Sequence, residues 1–291
     1  MPSGIIIIDK PADWTSMDVC ARLRRLLGER RVGHAGTLDP MATGVLPVFV
    51  GRATRAVEFA EGGGKTYVAG LRLGVETDTQ DSTGTVLAER PVTADRAALE
   101  AVLPRFRGEI LQIPPMYSAL KRNGKKLYEL ARKGQTVERR PRPITVSALE
   151  ITGQDAPDHY TLRIVCSKGT YVRTLCHDIG QALGCGGVMD ALRRTEAAGF
   201  TLDQAVTLEQ AARAAERGDA ERLLTPVDRL FEAYPALTVT GRAERLCRNG
   251  NPFRQTGAEG LWRVYGADGT FLMLGRLEGG VMKTVKSFFS V

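Results

Sequence analysis

GHAGTLDPMATGVLPVFVG, residues 33–51, carries the chain from a glycine-punctuated polar loop into an unbroken apolar run. Gly33, Gly36 and Gly44 let the backbone bend closely around another group, while His34 and Thr37 give the loop polar reach. VLPVFVG has the length and composition of a buried strand. Between loop and strand stands Asp39-Pro40, a pair that initiates turns. Turn chemistry alone makes Asp39 a structural residue. Its place in a loop poised beside a buried strand makes it a candidate reactive carboxylate as well, and the two readings are compatible.

Upstream, GIIIID (4–9) reads as a second buried strand, broken by the proline of KPADW. TSMDVCARLRRLLG follows with helical spacing at Val19, Leu23, Leu26 and Leu27 and with Arg22, Arg24 and Arg25 turned outward. Downstream, KTYVAGLRLG alternates, so Tyr67, Ala69, Leu71 and Leu73 share one face toward a core or a cleft. Residues 93–106 place Leu99, Val102, Leu103 and Phe106 on one side of a helix. HYTLRIVCSKG is again a strand by alternation. TYVRTLCHDIGQALG then predicts a helix with Thr170 as N-cap and Val172, Leu175, Ile179 and Leu183 inward. Thr207 to Gln210 is a capping-box pattern opening an alanine-rich helix that Gly218 can end. Pro226 and Pro235 bracket a linker, beyond which LWRVYGADGTFLMLGRLEGG reads as hairpin strands around ADG. Two units are expected, residues 1–235 and a small β-rich domain over 236–291.

A chain of 291 residues with 43% hydrophobic and 25% charged residues has the composition of an ordinary globular protein. Its net charge of +7 is concentrated. Eleven Lys or Arg and only three Glu fall between Arg105 and Arg142, leaving the rest of the chain close to neutral. Such a segment is an electrostatic footprint for a phosphate backbone, against the plainer reading of a solvated basic face. Five cysteines without CxxC spacing support neither a disulfide framework nor a zinc ribbon, and read as reduced thiols in a cytoplasm. No apolar run approaches the roughly 18 residues that cross a bilayer.

Several suggestive motifs fail on inspection. EGGGKT (61–66) lacks the first glycine of a P-loop, since Phe59 stands there, and GCGGVM (184–189) ends in Met189 instead of glycine. TDTQDSTG (77–84) groups Asp78 and Asp81 without the pattern of a calcium loop and reads as a solvated or hydrogen-bonded turn. His34, His159 and His177 are too scattered for a catalytic zinc. Metal-free, cofactor-free chemistry is the expectation.

GHAGTLDPMATGVLPVFVGRATR, KTYVAGLRLGVETDTQDSTG and CSKGTYVRTLCHDIG, in this order, with DKPADWTS before them and ALRRTEAAGF after, resemble the successive motifs of the bacterial tRNA pseudouridine synthase B, or TruB, family. The resemblance covers roughly residues 4–235. The tail is more weakly similar to the family's PUA-like domain. It implies an α+β pseudouridine synthase fold with a mixed, mainly antiparallel sheet, and isomerisation of the uridine at position 55 in the tRNA T loop. By the same resemblance Asp39 is the catalytic aspartate, Arg173 its partner, Tyr67 the active-site aromatic, Tyr171 a second pocket residue and Leu192 an apolar wall. His34 would occupy the stack opened by flipping the base. Lys10, and the thumb residues Lys121, Arg122, Lys125, Lys126, Arg132 and Lys133 from an insertion at about 105–142, would bind RNA. Where the family has glycine in KPxGxTS this chain has Asp13.

Uracil must leave C1′, turn and rejoin through C5, which needs a carboxylate near the sugar and a closed pocket for the detached base. Attack at C1′, attack at C6 and removal of a ribose proton to give a glycal remain open, the last favoured. A monomer acting on the T stem-loop, with no membrane partner, is expected. The rivals are an RNA-binding or RNA-folding protein without catalysis, and an aspartate-nucleophile phosphotransferase, which would want a second carboxylate close by in sequence.

Overall fold

The computed structural model describes residues 3–122 and 124–289. The central sheet runs in the order Gly4–Lys10, Thr43–Val50, Gly187–Ala197, Lys65–Leu73, His159–Cys166, Arg142–Ala156 and Gly108–Gln112, with Val32–His34 and Phe200–Thr201 as short additions. All of these pairs are antiparallel except one. Thr43–Val50 and Gly187–Ala197 run parallel and touch at only two positions, Arg193 opposite Thr43 and Arg194 opposite Gly44. Gly44 is required at this seam: at φ +101 a Cβ would sit 2.1 Å from the Arg194 carbonyl oxygen.

The first helix, Ser16–Leu27, is built as its sequence asks. Thr15 and Asp18 form a reciprocal capping box, and Gly28 ends the helix in the left-handed conformation. Val19, Cys20 and Leu23 are buried against the sheet. The stretch expected to be helical from 93 begins at Arg96, because Asp95 caps it by accepting from the Ala98 N–H, and it tightens to a 3₁₀ turn over Leu103–Phe106. Thr207 caps Leu208–Glu216, with Gln210 returning the bond at 2.7 Å.

Two expectations are corrected. Thr170 does not cap Val172–Ala182: its hydroxyl turns back to the Ser167 carbonyl, the N-cap position belongs to Tyr171, and no side chain caps it. The basic segment does not leave the sheet at Arg105. Gly108–Gln112 pairs with Arg142–Val146 as the sheet's edge, so the excursion is confined to the residues between these strands. Within it Lys121–Arg122 and Lys125–Lys126 form a small hairpin that leads into a short helix, Leu127–Ala131.

A separate five-stranded sheet, in the order Ala236–Thr238, Gly260–Tyr265, Phe271–Glu278, Val281–Ser287, Phe253–Arg254, has its own core around Val264, Leu272, Leu277 and Met282. It is held to the larger unit by an aromatic cluster, where Phe231 meets Phe59, Phe271 and Phe288 with ring centroids 5.3–6.0 Å apart. Lys286 adds an ion pair to Glu58 at 2.6 Å. Among the described residues no helix is long and apolar enough to cross a membrane.

Candidate active site

The loop 33–40 crosses the sheet beside the parallel seam and is pinned along its length. The Ala35 N–H donates to the Pro47 carbonyl, and the Ser16 hydroxyl both accepts from the Leu38 N–H at 3.0 Å and donates to the Leu38 carbonyl. The Ala42 N–H donates to the Asp39 carbonyl, closing an Asp39–Ala42 turn with Pro40 at its second position, where its fixed φ suits the bend. The turn and the presented carboxylate are thus one structure.

The Pro40 carbonyl, next to that carboxylate, is held twice. It accepts from the Asp13 N–H at 2.9 Å and from Lys10 Nζ at 3.0 Å. Asp13 takes the left-handed conformation, φ +63, so the aspartate reproduces the turn expected of glycine there, as the short polar side chain of Asp tolerates better than most. Lys10 is corrected as an RNA contact. It is fully buried, and its ammonium also donates to the Pro11 and Trp14 carbonyls at 2.8 and 2.6 Å, leaving no hydrogen for a phosphate. Burial pulls its pKa down to about 8 against the pull of Asp13 and Asp39. Lys10 is a clamp between the two loops that frame Asp39. Lys10→Met strips donors from three carbonyls, and denaturant titration should show a loss of about 1–3 kcal/mol, with turnover falling more than tenfold as the Asp39 loop slackens.

The Asp39 carboxylate keeps 36% of its surface accessible and lies 3.4 Å from Arg173 Nη1. Arg173 is brought there by the first turn of Val172–Ala182 and is buried. The same Nη1 reaches Asp81 Oδ2 at 3.3 Å, and Nη2 donates to the Tyr117 carbonyl at 2.5 Å. Desolvation raises the Asp39 pKa; Arg173 and Lys10 oppose this while Asp81 adds to it, and burial wins. The counter-charge expected from sequence is present but divided between two carboxylates.

Asp81 is the residue that sequence reading missed. Of the two turn readings the hydrogen-bonded one holds and the solvated one does not: only 3% of Asp81 is exposed, and Oδ1 accepts from the Thr79 hydroxyl and from the Thr83 hydroxyl and N–H at 2.6–3.0 Å. The turn is sutured to the central sheet by Ser82 N–H to Met189 O and Met189 N–H to Gln80 O. A run of threonines spaced to satisfy one carboxylate was the available signal. Gln112 was likewise missed: its amide grips the Tyr171 backbone from both sides, at 2.8 and 3.0 Å.

Tyr67 is buried, with 6% of it exposed, and stands across from Ile164 on one strand and Arg194 on the other. Leu192, opposite Ala69, closes the apolar wall. The Tyr171 ring lies 6.0 Å from the Arg173 guanidinium carbon. His34 ends its short strand with Nδ1 buried and, among the described residues, without a hydrogen-bonding partner, and desolvation together with Arg194 lowers its pKa, which favours a neutral ring. Lys121, Arg122, Lys125, Arg132 and Lys133 sit on the excursion, all exposed, and Lys126 is half-buried. Lys126 and Arg132 both lie over the Tyr128 ring, at 5.4 and 5.3 Å.

A mixed sheet split at one parallel seam, with an aspartate loop and an arginine meeting beside it, is the architecture of a pseudouridine synthase. Over 98% of its length the chain superposes on 85% of a chain in the solved Cbf5-Nop10-Gar1 complex, at TM-score 0.75 and 26% identity. Residues 24–172 match the model of the TruB family pseudouridylate synthase N-terminal domain, and residues 173–232 match that of the tRNA pseudouridylate synthase B C-terminal domain. Curated relatives named tRNA pseudouridine synthase B include one from Ralstonia pickettii, 45% identical over 96% of this chain and 92% of the relative, and one from Burkholderia mallei, 46% identical over 96% and 94%. The chain belongs to the TruB family of pseudouridylate synthases, and it is an isomerase converting uridine to pseudouridine in tRNA.

Proposed function

We propose that the target is the uridine at position 55 of the T loop, flipped out of its stack and delivered to Asp39. The observation that carries this reading is the Asp39 carboxylate, presented by a rigid turn, desolvated, and facing Arg173 beside the Tyr67 and Leu192 wall. Flipping costs a few kcal/mol, recovered by stacking the base on Tyr67 and by His34 filling the gap left in the loop. A carboxyl group whose pKa is raised is a better proton acceptor than an ordinary one, as removal of a ribose proton requires. When Asp39 takes the C2′ proton and the C1′–N1 bond breaks, the electron pair leaves with uracil. The base then turns, and its C5 bonds to C1′ of the C1′=C2′ glycal as Asp39 returns the proton to C2′; the C5 proton is lost to water and N1 takes one up. No cofactor or metal is needed for these steps.

Tritium at uridine C5 follows the chemistry directly, because it is released into water as the new bond forms. The protein incubated with such a T-arm RNA should release it at a rate set by enzyme concentration. Binding without release would sink the T-loop reading.

The basic excursion is the thumb that closes over the RNA backbone, and recognition is mainly of shape and phosphate. Reversing Lys121, Arg122 and Lys125 to Glu should weaken T-arm binding and flatten the plot of log affinity against log salt by about 0.7–0.9 for each phosphate no longer neutralised. An unchanged slope would remove the thumb from RNA binding. The five-stranded sheet acts as a PUA-like RNA-docking domain. The protein works as a monomer, and its five unpaired, buried cysteines suit a reducing cytoplasm.

A further inference from the structure

Residue 194 sits in the middle of the sheet, opposite Tyr67 on one neighbouring strand and Gly44 on the other. An arginine is an expensive choice there. Arg194 is fully buried, whereas the adjacent Arg193 turns to the other face, stays 43% exposed and pairs with Asp9 at 2.8 Å. A buried cation normally brings a carboxylate with it. Arg194 Nε donates to the Val45 carbonyl at 2.7 Å, but within the described residues neither Nη has a hydrogen-bonding partner. Gly36, at φ +70, leaves the space that Nη1 uses, since a Cβ there would lie 3.2 Å from it.

The charged neighbours do not explain this arginine, because most of them repel it. Lys10, His34 and Lys65 all have their pKa values lowered, by desolvation first and by Arg194 in addition. The polar group that gains from it is the hydroxyl of Tyr67, close enough to feel its field though short of good hydrogen-bond geometry. Burial raises the pKa of that hydroxyl, Asp39 from the loop and Cys166 from the adjoining strand raise it further, and Arg194 opposes all three.

We propose that Arg194 is the positioning residue for Tyr67: anchored on the Val45 carbonyl, its guanidinium holds the phenol oxygen in place and stabilises negative charge there while the ring faces the flipped base. The proposal rests on the reading of Tyr67 as the active-site aromatic. It accounts for an otherwise unexplained buried cation, and for a glycine at 36 that makes room for it. It also separates two arginines adjacent in sequence, Arg193 serving the surface and Arg194 the site.

The test is a double-mutant cycle read by tritium release at saturating T-arm RNA across pH, with Arg194→Met, Tyr67→Phe and the pair. Arg194→Met should cut kcat by ~10²-fold with KM changed by less than about threefold. The pair should be no slower than Tyr67→Phe alone. The alkaline limb of the kcat profile should move upward in Arg194→Met, a shift that a purely structural loss would not produce. Arg194→Lys, which keeps the charge, should recover part of the rate and carries the same cycle if the Met variant fails to fold. Losses that multiply in the pair, or an alkaline limb that stays in place, would overturn the role of Arg194 while leaving Tyr67 its own. Full activity in Tyr67→Phe would instead remove Tyr67, and with it the premise.

Discussion

Asp39→Asn is expected to abolish tritium release, by about 10⁴-fold, while T-arm binding survives and the melting temperature does not fall. The isosteric amide keeps the turn, which depends on the Asp39 carbonyl and Pro40 and not on the carboxylate. The stability half of the prediction follows from the direction of the pKa shift. A carboxyl group whose folded pKa lies above its unfolded value is destabilising once ionised. That penalty is fully present above the folded pKa and is relieved as pH falls toward the unfolded value. Removing the charge at neutral pH therefore costs the fold nothing, because Arg173 retains Asp81. The same shift sets the acid limb of the wild-type rate above the ordinary 3.8 of an aspartate, since the proton-accepting form is ionised. Deuterium at C2′ of the ribose should slow release; unchanged turnover in Asp39→Asn would take the residue out of the chemistry, and the absence of an isotope effect would argue against ribose-proton removal.

Arg173→Met is expected to damage both fold and activity. Asp81 has only 4% of its side chain exposed and would lose its cation, and breaking a buried pair from one side typically costs about 3–5 kcal/mol. In a protein somewhat larger than the 150–250 residues for which ~2–4 °C per kcal/mol holds, the melting temperature should drop by about 10 °C. Turnover should fall because Asp39 loses its orienting partner and the Tyr117 carbonyl, at the start of the basic excursion, loses its tie to the site. Asp81→Asn in the same background should restore much of the stability, since the unpaired charge is then gone, but not the activity. If Arg173→Met melts within a degree or two of wild type, the buried pair contributes far less than its geometry indicates.

The strands 4–10, 43–50, 65–73 and 159–166 and the helix from Ser16 were legible because each carries a clean period of two or 3.6, or an unbroken apolar run, with its own stop signal. Gly187–Ala197 was not legible as the central strand. Two register shifts, after Met189 and after Arg194, interrupt its alternation, and its charged RR pair looks like surface. The basic segment misled at both ends for a related reason. Arg107 precedes the edge strand Gly108–Gln112 and Arg142 pairs with its last residue, at the border of the sheet where one side of the edge strand is open and charge is tolerated.

In the site, local sequence makes only Asp39 a candidate, because its turn and glycines lie within one loop, whereas Tyr67 and Arg173 take their roles from the resemblance to the family's motifs. Lys10 was misassigned because a lysine beside a loop looks like a phosphate ligand until its burial is known. Asp81 was passed over because the threonines of TDTQDSTG that satisfy its carboxylate fit a surface turn as well as a buried one.

Local sequence was enough to set most of the strands and caps, the turn at Asp39-Pro40 and the concentration of positive charge, all of which depend on residues within a turn or two of one another. It took the assembled fold to share Arg173 between Asp39 and Asp81, to make Lys10 a clamp on the loop instead of an RNA ligand, and to bring Arg194 rather than Arg193 to Tyr67. Burial and charge pairing are properties of groups that lie far apart in the chain, and their signs depend on which partner the fold brings within a few ångströms.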